Sequence, residues 1–355
     1  MRGVVEADAP AVFALISARG IFAPAQRDAW FRYARWAYWD NPFRGDLPPG
    51  WVVEEGGGVV AYVGCVFMPF RIGQWSGAGG SVENLTVDAS VRGPLAVLFT
   101  RDHLRAPGAP VQFAGHFTAK GTQLWQPFRA VECPGTDTTY VATLSEGARL
   151  QAKVANAGTL GRLAAATGLP YLSGTLLPRG GSLQRAHRHA LPVVSKIADL
   201  PEAEVDALCA AATADLNAYV RRDARYLRWR YEERPDAKAF RTIVTRSGDD
   251  NLTGLAVLQD CSPLDQRICE FLTSAPFGSA TAETLLAGVA EASRRKGGAV
   301  LRTKMVREEL APFWAHMGFQ REVKPNNQYL VASALPDRPP APLHTMYTYA
   351  EAKLW

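Results

Sequence analysis

Motifs built on cysteine are missing from this 355-residue sequence. The five cysteines are odd in number, lie far apart and form no CxxC pair; they are Cys65, Cys133, Cys209, Cys261 and Cys269. This pattern argues against a disulfide framework and against a zinc site, and it is typical of a reducing cytoplasm. We therefore predict a cytoplasmic protein without a bound metal. Three of the cysteines stand in apolar runs, which indicates small core residues.

Long apolar runs and dense basic stretches are missing as well. The longest nearly uncharged run, 56–70, is too short to span a bilayer and contains Gly64 and Pro69. The first residues include Arg2 and Asp8 and do not form a signal peptide, so we expect no integral membrane segment. The net charge of +5 comes without a Lys/Arg stripe that has interleaved aromatics, so DNA is not an expected partner. An anionic cofactor or substrate explains the positive charge equally well.

Motifs of several common enzyme classes are also absent. The sequence contains no dinucleotide-binding fingerprint, P-loop, HExxH zinc motif or nucleophile elbow. Any catalytic function must therefore rest on a different constellation of residues.

A recurring octapeptide is the most informative feature that is present. RWAYWDNP (35–42) and RWRYEERP (228–235) share Arg, Trp, Tyr and Pro at the same four places, 193 residues apart. Apolar, β-rich runs bounded by Gly, Asp and Asn follow each octapeptide, which is the pattern of a β-hairpin. We interpret the tryptophans and tyrosines of the octapeptides as packing residues that lead the chain into each hairpin.

The repeat continues through the rest of each half. A strand pattern (81–89; 267–275) precedes a helix pattern (95–106, with Pro94 in its first turn; 280–298). Each half then offers another strand and a short helix with a tryptophan. Trp125 and Trp314 are 189 residues apart, close to the first offset. The sequence thus predicts two domains of the same α/β type.

The domain boundaries follow from this repeat. We predict an N-terminal domain over 1–144, a helical linker and basic loop over 145–195, a C-terminal domain over 196–335, and a Pro-rich tail over 336–355. Within the linker, 148–168 has the pattern of an amphipathic helix that packs across both domains. Because the helix also contains basic residues, binding to a membrane surface is the weaker alternative to this packing.

Two segments carry a resemblance to a known family. LTVDASVRGPLAVLF (85–99) resembles the acyl-CoA-binding signature of the GNAT superfamily (GCN5-related N-acetyltransferases), in which a splayed strand runs into a Gly-containing turn that opens a helix. LAPFWAHMGF (310–319) resembles that superfamily's late helix-to-strand element. The resemblance implies an α/β (α+β) fold of two tandem GNAT-like domains, each a mixed, mostly antiparallel sheet flanked by helices.

The resemblance also implies acetyl-CoA or a longer acyl-CoA as co-substrate. Backbone N–H groups of the turn and of the helix start would hold the pyrophosphate, and pantetheine would add to the strand like an extra β-strand. The cofactor-binding residues that it implies are Leu85, Thr86, Val87, Arg92, Gly93, Pro94, Leu95, Ala96, Thr118 and Trp125. Leu95 departs from the pattern, since a glycine is expected there. The turn of the second domain has no Arg and only Gly278, so the N-terminal domain is the preferred site.

Glu83 is the first candidate for the general base, because a neutral amine must attack the thioester. It shares a face with Leu85, so we expect partial burial and a raised pKa. The equally weighted alternative is a structural glutamate paired with Arg71 or Arg101. His116 is the second candidate base. If the second domain is the active one, Glu270 and His316 are the analogous residues.

The proton donor for the thiolate is open. Many enzymes of the superfamily have a tyrosine in the late helix, whereas this sequence has Trp125 and Trp314 at those places. Indole is no general acid at neutral pH. The thiolate then leaves unaided or through water, or Tyr140 or His116 protonates it.

Three functions are compatible with these features. The first is an acyl-CoA-dependent N-acyltransferase that moves an acyl group onto a primary amine of a sugar, peptide or natural-product intermediate. The second is a transferase that takes its acyl group from aminoacyl-tRNA or an acyl carrier protein. The third is a non-catalytic acyl-CoA-binding or scaffold protein, which the missing glycine and the two tryptophans favour. The Arg92-Gly93 turn and Glu83 argue against this third function, and the acyl-CoA-dependent acyltransferase is the preferred one.

Overall fold

The computed structural model describes residues 1–91, 93–104, 111–114, 131–133, 138–155, 166–168, 193–304, 310–323, 328–331 and 345–346. The strands, numbered in chain order, are β1 (Arg2–Gly3), β2 (Gly50–Glu55), β3 (Gly58–Ile72), β4 (Trp75–Val87), β5 (Gln112–Ala114), β6 (Val131–Cys133), β7 (Thr138–Thr143), β8 (Val193–Ser195), β9 (Ala218–Val220), β10 (Phe240–Arg246), β11 (Leu252–Asp260), β12 (Asp265–Thr273), β13 (Val300–Thr303), β14 (Gln320–Val323), β15 (Gln328–Val331) and β16 (Thr345–Met346). The α-helices are α1 (Ala9–Ala18), α2 (Arg27–Ala34), α3 (Pro94–Leu104), α4 (Glu146–Ala155), α5 (Glu202–Ala212), α6 (Ala224–Tyr231), α7 (Ala280–Arg295) and α8 (Ala311–His316).

Two mixed, mostly antiparallel sheets organise the chain, as the sequence predicts. The first has the strand order β1-β2-β3-β4-β5-β15-β6, with β9 on the far end of β3 and β16 beside β9. The second has the order β14-β7-β13-β12-β11-β10-β8. A parallel pair lies at the same place in each sheet, β4 with β5 and β12 with β13. The two sheets therefore repeat one topology.

The register of the two hairpins relates the strand glutamates of the two units. Gly64 of β3 pairs with Glu83 of β4, and Val257 of β11 pairs with Glu270 of β12. Gly64 and Val257 are separated by the same offset as the two octapeptides. Glu83 and Glu270 thus hold equivalent places in the two sheets.

The two sheets exchange strands between the halves of the chain. Strand β7 belongs to the first half of the chain, yet it lies between β13 and β14 of the second sheet. Strand β15 belongs to the second half and lies between β5 and β6 of the first sheet. The boundaries at 144, 195 and 335 stay predictions. The strand pairing shows that each sheet contains strands from both halves of the chain.

Strand β3 is buried on both faces, as its nearly unbroken apolar sequence requires. Alternate side chains point to opposite faces. One face, with Val66, Met68 and Phe70, joins an apolar core that continues into the second half of the chain. The other face packs a separate core beneath Phe99 of α3. Burying each such side chain contributes about 1.5–3 kcal/mol, so β3 anchors both layers of the first unit.

The first part of each octapeptide is helical, which the sequence interpretation had not specified. Residues Arg35–Trp39 form a π-helical turn that continues α2, and 228–231 close α6. Helices α1, α2, α5 and α6 form the two entry segments that precede the hairpins, and none of them was predicted. Of the predicted linker helix, Glu146–Ala155 is helical and the remainder lies outside the described residues, apart from 166–168.

Cysteine placement agrees with the sequence. Cys65, Cys209 and Cys269 are buried free thiols, which confirms them as core residues, whereas Cys261 is exposed. In the described ranges, no group of three or more His, Cys, Asp or Glu side chains is placed to hold a metal ion. Nor does any helix in the described part of the chain have the length and apolar character needed to cross a membrane.

Candidate active site

The carboxylate of Glu83 is the centre of a hydrogen-bonded cluster in the first unit. Tyr33 on α2 donates its hydroxyl to Oε2 of Glu83 at 3.1 Å, and Tyr38 in the π-helical turn donates to the same oxygen at 3.1 Å. Both tyrosine rings are buried, while Glu83 keeps part of its surface accessible. The glutamate is therefore oriented by protein groups and still within reach of a ligand.

Burial raises the pKa of Glu83 from 4.5 to about 7. Hydrogen bonds from Tyr38 and Tyr33 and the positive charges of Arg230 and Arg234 oppose this rise without cancelling it. A carboxylate with such a pKa can take up a proton near neutral pH. The expected raised pKa is thus found, and burial is its main cause.

The alternative of a structural ion pair does not hold for this glutamate. Arg71 donates its Nε to the carbonyl oxygen of Gly73 at 3.3 Å. Arg101 forms its ion pair with Asp102 at 2.7 Å. The two arginines that the sequence offered as partners of Glu83 are therefore engaged elsewhere.

Gly64 makes room for the tyrosine hydroxyls. A Cβ at this position would lie 2.6 Å from the hydroxyl oxygen of Tyr38 and 2.6 Å from that of Tyr62. These two hydroxyls share a hydrogen bond, and burial raises the pKa of both phenols above the usual range. Only glycine permits this approach, since Cβ contacts below 3.0 Å essentially never occur.

A bulge follows Glu83 in β4. Gly64 pairs with Glu83 but Tyr62 pairs with Thr86, so β4 holds one residue more than β3 across this step. Asn84 takes a left-handed conformation with φ of 54°, which Asn tolerates better than most residues. The bulge interrupts the alternation of side chains between the two faces of β4. The prediction that Glu83 and Leu85 share a face relied on that alternation.

Strand β4 pairs with β5 over its part before the bulge. The pairing of β4 with β5 extends from Gly80 to Val82 in the described part of the chain. Of the three residues that the sequence proposes for pantetheine, Thr86 and Val87 pair with Tyr62 and Ala61 of β3, and Leu85 lies in the bulge.

The turn after β4 leads into α3 as expected. Asp88 accepts hydrogen bonds from the backbone N–H of Ser90 at 2.9 Å and from its hydroxyl at 2.6 Å, and these bonds lower the pKa of Asp88. Gly93 is exposed with φ of 109°, a conformation that favours glycine, and Pro94 begins α3. Asp88 therefore stiffens the turn.

Leu95 and Ala96 pack against the core beneath α3. The leucine that replaces the expected glycine thus directs its side chain into the protein. This departure from the family pattern does not by itself obstruct the outer side of the turn.

Glu270 in the second unit has the same tyrosine contact but a different electrostatic partner. Tyr231 donates its hydroxyl to Oε1 of Glu270 at 2.9 Å. Arg222 donates its Nε to Oε2 at 2.8 Å, and both side chains of this ion pair are fully buried. The bulge of β12 lies at Cys269, before the glutamate and not after it. The charge of Arg222 thus neutralises the buried carboxylate of Glu270, whereas no ion pair among the described residues neutralises Glu83 in this way.

Tyr140 is not brought to Glu83. It lies in the exchanged strand β7, is buried in the core of the second unit and stacks on Trp314 at 6.1 Å. Trp314 is itself fully buried in that core. The strand exchange therefore moves the proposed proton donor to the other unit, away from the preferred site.

Two histidines make contacts elsewhere in the fold: His103 in α3, and His316, the candidate named for the second unit. His103 packs its ring against Trp51 at 4.6 Å, and burial lowers its pKa to about 3. His316 is exposed at the end of α8, 3.7 Å from Glu283. Four predicted site residues fall outside the described residues: Arg92, His116, Thr118 and Trp125.

The sequence interpretation missed the role of the tyrosines. Tyr38 and Tyr231 were assigned to packing alone, but each also donates a hydrogen bond to the glutamate of its unit. Tyr33 and Gly64 were not singled out. The signal was in the repeat, because the octapeptide tyrosine recurs together with a strand glutamate in each half.

No protein-family model matches the sequence, and no curated protein matches it either. Solved structures do match. One is a probable N-acyltransferase of Enterococcus faecalis, with a TM-score of 0.59 and 10% identity over 94% of this chain and 73% of that one. A second is a GCN5-related N-acetyltransferase from Kribbella flavida, with a TM-score of 0.58 and 15% identity over 93% of this chain and 69% of that one.

A third similar structure is Saccharomyces cerevisiae N-myristoyltransferase with bound myristoyl-CoA. Its TM-score is 0.52, with 13% identity over 92% of this chain and 80% of that one. These matches show that the chain has the GNAT fold, in the form of two tandem GNAT-like domains. At such low identity they establish the fold, and the activity has to be argued from the site.

Proposed function

We propose that this chain is an acyl-CoA-dependent N-acyltransferase whose active site lies in the first unit. Acyl-CoA would bind along β4 beyond its bulge, with the pyrophosphate at the turn from Asp88 to Pro94. Glu83 would act as the general base for the incoming amine. The acceptor is a primary amine on a sugar, a peptide or a natural-product intermediate.

The chemistry requires one proton to be removed from the nucleophile. The amine nitrogen attacks the thioester carbonyl carbon, the C–N bond forms, and Glu83 takes the proton from nitrogen. The C–S bond then breaks, and the departing thiolate takes up a proton from solvent. A base with a pKa near the working pH suits this step, because it is ionised in a large fraction of molecules and still binds the proton well.

The contrast between the two glutamates carries the proposal. Glu83 is partly accessible, lies next to a bulge and has a pKa raised to about 7. Glu270 holds the equivalent place but is buried against Arg222. The offset of the octapeptides places Ala29 where the second unit has Arg222. The first unit thus retains a titratable carboxylate where the second has a fixed ion pair.

The fold favours coenzyme A thioesters as donors without fixing the acyl chain. Among the similar structures one is an N-acetyltransferase and one is an N-myristoyltransferase that holds myristoyl-CoA. Both short and long acyl groups are therefore to be tested on this chain.

Calorimetric titration tests the proposal most directly. The protein is titrated with acetyl-CoA, myristoyl-CoA and free coenzyme A, beside the variants Arg92→Glu and Glu83→Gln. Arg92→Glu, in the predicted phosphate turn, should abolish binding. Arg295→Glu changes the net charge equally at an exposed site on α7 and should leave binding unchanged. Glu83→Gln should bind the thioester but transfer its acyl group to an amine about 100-fold or more slowly.

The outcomes separate the candidate functions. Binding that survives Arg92→Glu would move the donor site to the second unit. Failure of every coenzyme A species to bind would contradict the proposal. That result would leave an acyl carrier protein or aminoacyl-tRNA as donor, or a protein without catalysis.

A further inference from the structure

Two arginines of the second half are buried against a tryptophan of the first. Arg230, in α6, is 1% exposed, and Arg234, just after α6, is 6% exposed. Their guanidinium carbons lie 5.7 Å and 5.2 Å from the ring centroid of Trp36. Both positive charges are therefore held at the contact between the two halves, over the π face that attracts them.

These guanidinium groups are close enough to influence each other. Burial, together with the charge of Arg230, lowers the pKa of Arg234. Arg234 is also bound by Asp236, whose carboxylate accepts from Nε and, at 3.2 Å, from Nη2. The side chain of Asp236 is half-exposed.

A short aromatic path leads from these arginines to the candidate base. The ring of Trp36 meets the ring of Tyr33 edge-on at 5.5 Å. Tyr33 in turn donates its hydroxyl to Glu83. Because this layer is buried, the charges of the arginines are weakly screened from the carboxylate.

The titratable and charged groups around Glu83 come from four elements. They are Tyr33 from α2, Tyr38 from the π-helical turn, Tyr62 and Cys65 from β3, and Arg230 and Arg234 from α6 and the residues after it. Burial raises the pKa of each phenol and of the thiol, which leaves them uncharged at neutral pH. The arginines are thus the charged members of the set.

We propose that Arg230 and Arg234 are positioning residues for the active site of the other unit, and that their charges, held against Trp36, favour the ionised form of Glu83. The second unit then supplies electrostatic control of the base and not only walls for a substrate. This inference rests on the proposed function for its biological meaning, but the coupling of charges is measurable without any substrate.

The test follows the Glu83 carboxyl group by infrared spectroscopy as a function of pH. The C=O band of the protonated acid is assigned by its loss in Glu83→Gln. In Arg234→Met the titration midpoint should rise by about half a unit to one unit, because a nearby positive charge is gone. Arg234→Lys keeps the charge and should stay close to the wild-type midpoint. Arg295→Met, at an exposed site, is the matched control.

A second variant should shift the Glu83 titration midpoint in the opposite direction. Asp236→Asn removes the negative charge that partly offsets Arg234, so the Glu83 midpoint should fall. A structural role of Arg234 would change stability but would not move the midpoint in opposite directions in the two variants. If Arg234→Met does not fold, the direction of the shift in Asp236→Asn decides alone.

Midpoints that do not move, or that move the same way in both variants, would overturn the inference. Its failure is distinct from that of the proposed function. Shifts of the expected sign in a protein that binds no coenzyme A would leave the coupling intact and refute the activity. An active transferase in which neither variant shifts the titration midpoint of Glu83 would support the activity and refute the coupling.

Discussion

Trp36 and Trp229 stack on each other, with their ring centroids 4.8 Å apart and their planes inclined by 21°. Trp36 also donates its Nε1–H to the carbonyl oxygen of Trp229 at 3.1 Å. Both rings are buried. The two residues hold the same place in the two octapeptides, so the contact marks where the repeated units meet as near-symmetric partners.

This contact can be measured by a matched pair of variants. Trp36→Phe and Trp229→Phe remove similar volumes, but only Trp36→Phe removes the donor to the facing carbonyl. We expect Trp36→Phe to lower the free energy of unfolding by about 1 kcal/mol more than Trp229→Phe, which is the usual value of one hydrogen bond. Urea unfolding of both variants measures the difference. Equal losses would show that the hydrogen bond contributes nothing.

Glu83→Gln should change the pH dependence of stability. The folded protein keeps the Glu83 proton up to about pH 7, whereas the unfolded chain releases it near 4.5. Between these values the folded state binds more protons, so wild-type stability falls as the pH rises. Glutamine carries no charge and avoids this loss. Relative to wild type, the variant should gain about 2–3 kcal/mol between about pH 4.5 and pH 8.5.

The control for this prediction is Glu55→Gln. Glu55 is exposed at the end of β2, so its replacement should leave the slope of stability against pH as in wild type. Urea unfolding at several pH values gives both slopes. A Glu83→Gln slope that matches wild type would refute the buried, proton-binding glutamate.

Gly64→Ala should disturb the candidate site by displacing the tyrosine hydroxyls next to Glu83. Its Cβ would force apart the hydroxyls of Tyr38 and Tyr62, which both lie within 2.6 Å. Because Tyr38 orients Glu83, we expect acyl transfer to fall by about tenfold to 100-fold while the protein stays folded. Gly248→Ala is the control, since nothing lies within 4 Å of its Cβ. Unchanged transfer in Gly64→Ala would mean that the tyrosine contact is dispensable.

The ion pair of Arg222 with Glu270 predicts a non-additive pair of variants. Arg222→Met leaves a buried carboxylate without its ion-pair partner and should cost about 3–5 kcal/mol of stability. Adding Glu270→Gln removes that charge and should restore most of the loss. Acyl transfer per folded molecule should be unchanged in the double variant. Loss of transfer there would point to Glu270 as the base.

The sequence predicted the repeated elements well because their signals are local. Alternating apolar runs, turn residues and the positions of Pro94 and the glycines define the two hairpins and the two long helices. The entry helices α1 and α5 were not predicted, because they precede the octapeptides and lie outside the sequence repeat. The strand exchange could not be predicted, because it depends on which distant strand completes an edge, and that is decided by tertiary packing.

The site was predicted in outline and not in detail. Glu83 and the turn that contains Gly93 could be found because their residue types suit the chemistry at their place in the repeat. The partners of Glu83 come from α2, the π-helical turn and, across the contact of the two halves, α6. Arg222 likewise reaches Glu270 from a segment 48 residues away. Such convergence is set by the folded chain and leaves no local pattern.

The strand exchange has a consequence for how the protein is made. While the chain is being synthesised, β5 and β6 emerge well before β15, the strand that lies between them. Until then the first sheet presents two open edges, which are sites for wrong pairing with other chains. The first half, expressed alone, should therefore aggregate however well its own core is packed. The first sheet cannot be completed until β15 has been synthesised, so the two units complete their folding together.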